Sequence, residues 1–163
     1  TRSNNNMITI REELDNIKTY IKIQKMRYRD KINYHCDIPE EILDIKIPRL
    51  VIQPVVENAL VHGIELIERK GKRSVLGKKT NEKIVIIVED NGQGIDPDEL
   101  KDIRLGLNDA ENEDDSGYGL KNPHLRLKIR FGDDAGLEIE NRESVGTRVY
   151  IKISLKKKEE KDV

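Results

Sequence analysis

Cysteine, aromatic side chains, long apolar runs and net charge are all scarce in this sequence. A single cysteine, Cys36, excludes an internal disulfide, and we expect it to be a small buried side chain in a reducing compartment. No apolar run approaches the roughly 18 residues that cross a bilayer, and no signal peptide opens the chain. The 30 Lys and Arg nearly balance the 31 Asp and Glu, so nothing favours nucleic acid or a membrane surface as a partner.

What the sequence does contain indicates one folded domain. Its 163 residues fit a single core, and Ile, Val and Leu recur periodically although 37% of the residues are charged. Because the chain begins with Thr1 rather than methionine, we expect it to be a piece of a longer protein.

Apolar periodicity predicts the order of the elements. Three- and four-residue spacing predicts helices over 10–29, 48–63 and 120–131, and an acidic turn predicts a further helix start over 96–100. Alternation predicts strands over 31–38, 84–89, 137–141 and 147–153. The stretches without a usable period are predicted to be a surface loop (65–82), a flexible acidic lid (104–116) and a charged tail (156–163).

Asn58 is the first residue that indicates chemistry. On a helix over 48–63, at about 100° per residue, Ile47, Val51, Val55, Asn58 and His62 fall within an arc of roughly 80°. The two polar side chains either are satisfied by neighbouring backbone, as buried polar groups usually are, or mark the wall of a pocket. In the second interpretation the Asn58 oxygen is offered to Mg²⁺, which prefers oxygen ligands.

Two glycine-containing loops follow. The predicted strand over 84–89 runs into Asp90-Asn91-Gly92-Gln93-Gly94, which is either a hairpin turn or a loop whose carboxylate holds an exocyclic amine while the glycines admit a flat base. The second loop, Ser116-Gly117-Tyr118-Gly119, opens a helix. It is either an ordinary helix entry or a phosphate site at the positive end of the helix.

The order of these motifs resembles the ATPase superfamily of gyrase, Hsp90, histidine kinases and MutL. Within it, the segment from Ile47 to Gly63 is similar to the asparagine box of sensor histidine kinases of the LytS/YesM type. Gly117 to Asn122 and the pair Gly146-Thr147 are similar to other motifs of that family. Glu12 to Arg27 resembles the helix that follows its phosphoacceptor region.

This resemblance implies a two-layer α/β sandwich of the Bergerat type, with a mixed sheet backed by three helices, ATP and Mg²⁺ as ligands, and Asn58 as the metal ligand. The catalytic positions that it implies are Asn58, Glu57 and His62. The implied nucleotide contacts are Asn58, Asp90, Gly92, Gly94, Ile95, Gly117, Tyr118, Gly119, Leu120, Lys121 and Thr147. Residues 1–30 would be a tail and connecting helix, 31–155 the ATP-binding domain and 156–163 a charged tail.

Departures from the family pattern sharpen this hypothesis. Val61 replaces a common lysine, whose phosphate contact we expect from Lys121, Arg126 or Arg104 instead. Pro123 is tolerated only near a helix start, which places that start close to Gly119.

A comparison with the hydrolysing relatives favours a kinase. Those relatives place a catalytic glutamate one helical turn before the asparagine, where this chain has Pro54. Glu57 is rotated about 100° from Asn58 on the helix and is less well aimed at the same ligand.

The acceptor histidine is expected outside this chain. His35, His62 and His124 lie on a predicted strand, in the asparagine box and on the phosphate-loop helix, and none sits in an exposed acceptor-helix motif. A slow hydrolase, a serine kinase of the same superfamily and a nucleotide-dependent binding module stay open as alternatives. As a kinase piece, the chain would be a cytoplasmic domain of a membrane-anchored homodimer, with a phosphoacceptor dimerisation domain and a response regulator as partners.

Overall fold

Five strands form one mixed sheet, in a computed structural model that describes residues 6–64, 71–109, 111 and 118–155, without the side chains of residues 30, 62–64 and 71. The order across the sheet is β2 (Ile32–Asp37), β4 (Gly71–Lys79), β5 (Lys83–Asp90), β7 (Thr147–Ser154) and β6 (Gly136–Asn141). The β2–β4 pair is parallel and the other pairs are antiparallel. The predicted α/β class with a mixed sheet is confirmed.

Four α-helices lie in the described part of the chain: α1 (Ile10–Tyr28), α2 (Gln53–Ile64), α3 (Pro97–Leu107) and α4 (Lys121–Phe131). Three of them are the helices predicted to back the sheet, and α1 is the upstream helix. A separate two-stranded sheet pairs β1 (Met7–Thr9) with β3 (Lys46–Pro48) next to the start of α1. Within the described ranges, no helix has the length and apolar content that a membrane span requires.

The core lies between the helices and one face of the sheet. In β5 the side chains of Ile84, Ile86 and Val88 are buried there, and the inward residues of α1 join the same cluster. The opposite face of the sheet carries ion pairs, among them Arg148 Nε with Glu89 Oε1 at 2.5 Å. This asymmetry makes a two-layer sandwich and puts the inward-facing end of β5, where Asp90 lies, under the helices.

Local signals in the sequence explain where the helices begin and end. Thr9 and Glu12 form a reciprocal capping box at the start of α1. Asp96 caps α3 through the backbone N–H of Asp98, and Pro97 occupies the first turn, where no donor is needed. Gly132 ends α4 with a φ of 101°, a conformation that favours glycine.

The predicted start of the second helix was wrong. α2 begins at Gln53 rather than near Pro48, because residues 46–48 pair with β1 and Leu50 turns the chain with a φ of 62°. Ile47 and Val51 therefore do not extend a helical stripe, although both are fully buried. Of the predicted arc, Val55 and Asn58 lie on α2 with described side chains.

Parts of the predicted loop and lid are also corrected. Residues 71–79 form β4, because its backbone pairs with a strand on each side although few of its side chains are apolar. α3 continues to Leu107, since Ile103 and Leu107 are buried. Residues 65–70, 110, 112–117 and the predicted tail over 156–163 lie outside the described residues.

Cys36 is exposed rather than buried. An open groove of about 670 Å³ separates α1 from this end of the edge strand β2, so no helix covers the thiol.

Candidate functional site

A pocket of about 180 Å³ lies where α2, the end of β5, the start of α3 and Tyr118 meet. Six of the residues predicted as nucleotide contacts line it together: Asn58, Asp90, Gly94, Ile95, Tyr118 and Thr147. Gln93, Asp96 and Glu99 also line it and were not predicted. The larger groove between α1 and β2 contains none of the predicted site residues. We place the candidate site in the smaller pocket because the convergent polar groups are there.

Asn58 lines this pocket and contains an unusual atom. Its side-chain Oδ1 is buried and, among the described residues, has no hydrogen-bond partner. Buried polar atoms are nearly always paired, since an unpaired one costs about 1–3 kcal/mol. No described backbone group satisfies this oxygen, which favours the interpretation that it is offered to a ligand.

Asp90 ends β5 and is buried beside Asn58 in the same pocket. Its Oδ1 accepts a hydrogen bond from the Gly92 N–H at 2.8 Å. Burial raises the pKa of Asp90, while the Gly92 N–H and the Arg73 guanidinium act in the opposite direction. The loop after Asp90 does not form a hairpin, because β5 pairs with β4 and β7 and the chain continues into α3.

Two close backbone approaches shape the Asp90 side of the pocket. Gly94 has a φ of 83°. The Asn141 side chain holds the adjacent Ile95, because its Oδ1 accepts from the Ile95 N–H at 2.8 Å and its Nδ2 donates to the Ile95 carbonyl at 2.7 Å. A Cβ on Gly146 would lie 1.9 Å from the Asp90 carbonyl oxygen. Only glycine fits there, directly before the buried Thr147.

The second glycine loop is described from Tyr118 onward, and Gly117 lies outside the described residues. The Tyr118 hydroxyl donates to Glu99 Oε1 at 3.2 Å, which joins this loop to α3. Gly119 has a φ of 65°, and the N-cap residue of α4, Leu120, makes no side-chain cap hydrogen bond. Leu120 is buried in the core rather than lining the pocket, and Lys121 is 7% exposed. The predicted helix start close to Gly119 is confirmed.

The predicted catalytic positions are not all directed at the pocket. Glu57 accepts from Gln53 Nε2 at 3.0 Å along α2 and does not line the pocket. Burial and, second, the Glu57 carboxylate raise the pKa of Tyr20, which places Glu57 on the side of α1. His62 lies in α2, but its side chain is not described.

The basic residues predicted to replace a lysine at Val61 occupy different places. Val61 is 48% exposed. Arg104 donates to the Ile139 carbonyl through Nε and Nη2, at 3.0 and 2.8 Å, and lines a different groove. This contact directs Arg104 to the edge strand β6 rather than to the pocket. Arg126 approaches the Leu50 carbonyl at 3.5 Å.

His124 has a structural setting. Its Nδ1 accepts from the Leu137 N–H at 2.9 Å, so the proton is on Nε2, which lies 3.1 Å from Asn108 Oδ1. Burial and the neighbouring Lys128 lower the pKa of His124 to about 4. His35 is exposed on β2, away from the pocket.

Arg73 is a functional candidate that the sequence reasoning missed, because it falls in the segment predicted as a loop. It is 1% exposed, and its Nε donates to the Ala59 carbonyl, next to Asn58, at 2.8 Å. It pairs across the sheet with Asp90, and its Nη1 donates to Asn91 Oδ1 at 3.2 Å. Asn141 was missed too, since a polar residue at the end of a strand gives no distinctive pattern.

Comparisons with known proteins agree with this geometry. Residues 43–157 match the family described as histidine kinase-, DNA gyrase B-, and HSP90-like ATPase. The chain is 33% identical to the sensor histidine kinase YesM of Bacillus subtilis over 147 residues, 90% of this chain and 24% of that protein. It is 33% identical to the sensor histidine kinase/phosphatase LytS of Staphylococcus aureus over 161 residues, 97% of this chain and 27% of that protein. The chain thus spans about a quarter of the length of these relatives.

Solved structures share the fold. The catalytic domain of histidine kinase ThkA superimposes with a TM-score of 0.65 at 20% identity, over 91% of this chain and 95% of that one. Acinetobacter baumannii histidine kinase AdeS gives a TM-score of 0.63 at 15% identity, over 93% of this chain and 67% of that one. The chain therefore belongs to the histidine kinase-, DNA gyrase B- and HSP90-like ATPase family, and the curated relatives that it matches are sensor histidine kinases.

Proposed function

We propose that this domain binds Mg-ATP in the pocket around Asn58 and Asp90 and transfers the γ-phosphate to a histidine outside the chain. The observation that carries the proposal is the buried Asn58 Oδ1, which has no partner among the described residues, on a side chain that lines a pocket with a buried carboxylate. A hard cation bound to a phosphate would satisfy this oxygen, and an adenine amine would satisfy the carboxylate.

The adenine end of the nucleotide belongs at Asp90 and Thr147. Asp90 has one oxygen committed to the Gly92 N–H, and as a carboxylate it can accept further hydrogen bonds. The pocket volume of 180 Å³ is below the roughly 300–1,000 Å³ of complete small-molecule sites. It suits a base, with the sugar and phosphates extending beyond it toward α2 and α4.

The phosphate end belongs near Asn58 and the start of α4. The residues fit magnesium, because an amide oxygen is a suitable ligand and this one has no other partner within the described ranges. Magnesium, when bound, neutralises and orients the phosphate oxygens. The N-cap residue of α4, Leu120, makes no side-chain cap, and the positive end of the helix favours a phosphate group. The N-terminus of α4 orients the phosphate group, while Asn58 fixes the distance of that group from α2.

Phosphoryl transfer is a better proposal than hydrolysis. Glu57 is held by Gln53 on the side of α1, and Pro54 occupies the position one turn before Asn58. The position at which the hydrolysing relatives carry their base therefore has no carboxylate in this chain. A site without such a base spares the γ-phosphate from water until an acceptor arrives.

The acceptor and the later steps belong to other segments. His124 is buried and hydrogen-bonded on both ring nitrogens, so it cannot serve as the acceptor. We infer a phosphoacceptor dimerisation domain in the same protein, a homodimeric membrane-anchored parent with this domain in the cytoplasm, and a response regulator that receives the phosphate. One structural neighbour of the chain is histidine kinase ThkA in complex with response regulator protein TrrA, with a TM-score of 0.62 at 18% identity, over 91% of this chain and 41% of that one.

Calorimetric titration tests the nucleotide site. Wild type is expected to bind Mg-ADP, Asn58→Ala to lose most of the magnesium-dependent affinity, and Asp90→Ala to lose binding of the base. Each loss should be about tenfold or more, as when a metal ligand or a buried hydrogen-bonding group is removed. Asn33→Ala and Asp37→Ala change exposed residues of β2 and serve as matched controls. Affinities that stay at the wild-type level in both site variants would refute the assignment.

Phosphotransfer tests the reaction. The domain alone is expected to label itself poorly with ATP, and adding the acceptor helical segment of the same protein should produce acid-labile phosphohistidine. Glu57→Ala should leave this transfer near the wild-type rate, because Glu57 does not face the pocket. Strong self-labelling of the isolated chain, or ATP turnover that disappears in Glu57→Ala, would contradict the proposal and favour a hydrolase.

A further inference from the structure

A buried carboxylate interrupts the apolar face of α1. Glu13 is fully buried and lies among Ile10, Ile17 and Ile21, where the helical period favours an apolar side chain. Burying a carboxylate costs several kcal/mol unless strong hydrogen bonds offset the lost water. The position therefore needs a reason beyond packing.

The partners of Glu13 are all backbone donors at the start of α2. Oε1 accepts from the N–H groups of Leu50 and, at 3.3 Å, of Val51, and Oε2 accepts from the N–H of Ile52 at 2.6 Å. Burial raises the pKa of Glu13, and the N–H groups of residues 50–53 act in the opposite direction. The carboxylate is thus held by the helix terminus alone.

α2 has no capping residue of its own. Ile52 accepts the first helical bonds, from the N–H groups of Val55 at 3.0 Å and Val56 at 3.1 Å, so it stands at the N-cap position with an apolar side chain. The first turn of α2 contains no acidic residue. Glu13 therefore supplies from another helix both the capping oxygens and the negative charge that a helix N-terminus favours.

This cap acts on the helix that carries Asn58. Asn58 lies about 7.5 Å along the axis from the first residue of α2, at about 1.5 Å per residue. On its other side, the buried Arg73 holds the Ala59 carbonyl at 2.8 Å. The helix around Asn58 is thus held by a carboxylate from α1 and a guanidinium from β4.

The start of α1 is itself firmly tied to the segment before α2. The N–H of Ile10 donates to Ile45 O at 3.0 Å, and Arg11 forms an ion pair with Glu40 at 2.8 Å. These contacts restrict movement between α1 and this segment. A displacement of α1 would therefore be transmitted directly to the cap that Glu13 forms on α2.

We propose that Glu13 is a positioning residue that fixes the position of Asn58 by capping α2 from α1. The affinity for the magnesium-nucleotide complex therefore depends on the position of α1 relative to α2. The inference rests on the proposed function. In the proposed kinase, α1 leads back to the phosphoacceptor segment, and Glu13 connects that segment mechanically to the nucleotide site. The ligand class concerned is a nucleoside diphosphate or triphosphate with its divalent cation.

The test measures ADP affinity with magnesium and with a chelator, in wild type, Glu13→Gln, Glu12→Gln and Asn58→Ala. The ratio of the two affinities is the magnesium increment. Glu13→Gln should reduce this increment about tenfold, the lower end of losses seen when a residue that supports a metal ligand is changed. Its affinity in the chelator should stay close to wild type, because Asp90 lies on β5. Glu12→Gln is the matched control, since glutamine also completes the capping box.

A second readout separates positioning from a general loss of stability. The Asn58 side-chain amide signal in an amide NMR spectrum, assigned by its absence in Asn58→Ala, should shift in Glu13→Gln and stay in place in Glu12→Gln. Both measurements are made well below the melting temperature of each variant.

The outcomes are distinguishable. The inference is overturned if Asn58→Ala abolishes the magnesium increment while Glu13→Gln keeps it at the wild-type level and leaves the Asn58 signal in place. That result leaves the proposed function intact. If wild type shows no magnesium increment in ADP affinity, both the proposed function and this inference are refuted. Should Glu13→Gln not fold, Glu13→Asp keeps the charge on a shorter arm and is judged by the same two readouts.

Discussion

Adjacent residues of α2 show how a position on a helix decides chemistry. Asn58 lines the pocket, whereas Glu57 is turned toward α1 and accepts from Gln53. The rotation of about 100° per residue separates a side chain that lines the pocket from a carboxylate that does not. This separation was predictable from the sequence alone. The missing partner of Asn58 Oδ1 was not, because it depends on what other segments bring close.

At the residue scale, Gly146→Ala should damage the site more than Gly132→Ala. Both glycines have a φ near 100°, so alanine costs about 1–3 kcal/mol of strain at each. Only at Gly146 would the new Cβ also overlap Asp90 O, at 1.9 Å, while nothing lies within 4 Å of the Cβ at Gly132. Urea unfolding and ADP titration should show an extra stability loss and weakened binding for Gly146→Ala. Equal effects of the two variants on both measurements would contradict the contact with Asp90.

At the element scale, sequence patterns predicted the elements that bury an apolar face. α1, α3, α4, β5, β6 and β7 lie close to their predicted places. β4 was missed because its formation depends on pairing with β2 and β5, and only Arg73 and Val75 among its described side chains are buried. The start of α2 was misplaced because its cap comes from Glu13, which is distant in sequence.

The packing of α4 should depend on pH through His124. Its pKa is about 4 in the folded protein and about 6.5 when unfolded, so folding favours the neutral ring. This contribution is fully present above pH 6.5 and is lost as the pH falls toward 4, by roughly 3 kcal/mol in total. The raised pKa values of Glu13 and Asp90 have the opposite effect on stability as the pH falls, because protonation of these carboxyl groups favours the folded state.

Comparison of wild type with His124→Gln isolates the histidine from those carboxyl groups. The difference in unfolding free energy between the two proteins should shrink between pH 6.5 and 4, as measured by urea unfolding. A difference that stays constant over this range would show that His124 is not held neutral.

At the scale of the whole molecule, the site is a meeting point of segments far apart in sequence. Arg73, Asp90 and Thr147 come from three adjacent strands, and Asn58 comes from the helix packed above them. The motif order predicted the members of this group on α2, β5 and β7. It could not predict Arg73, whose role exists only once β4 lies between β2 and β5.

The predicted domain boundary after residue 30 can be decided by deletion of residues 1–29. α1 buries Ile10, Ile17 and Ile21, each worth about 1.5–3 kcal/mol, and Glu13 adds about 0.5–2 kcal/mol as a cap. Their sum is comparable to the whole stability of a domain, about 5–15 kcal/mol. We expect residues 30–163 to lack a cooperative thermal transition by circular dichroism, whereas the full chain should show one. A shortened chain that melts cooperatively and binds Mg-ADP like the full chain would place α1 outside the folding unit. The position of Asn58 would then be fixed without Glu13.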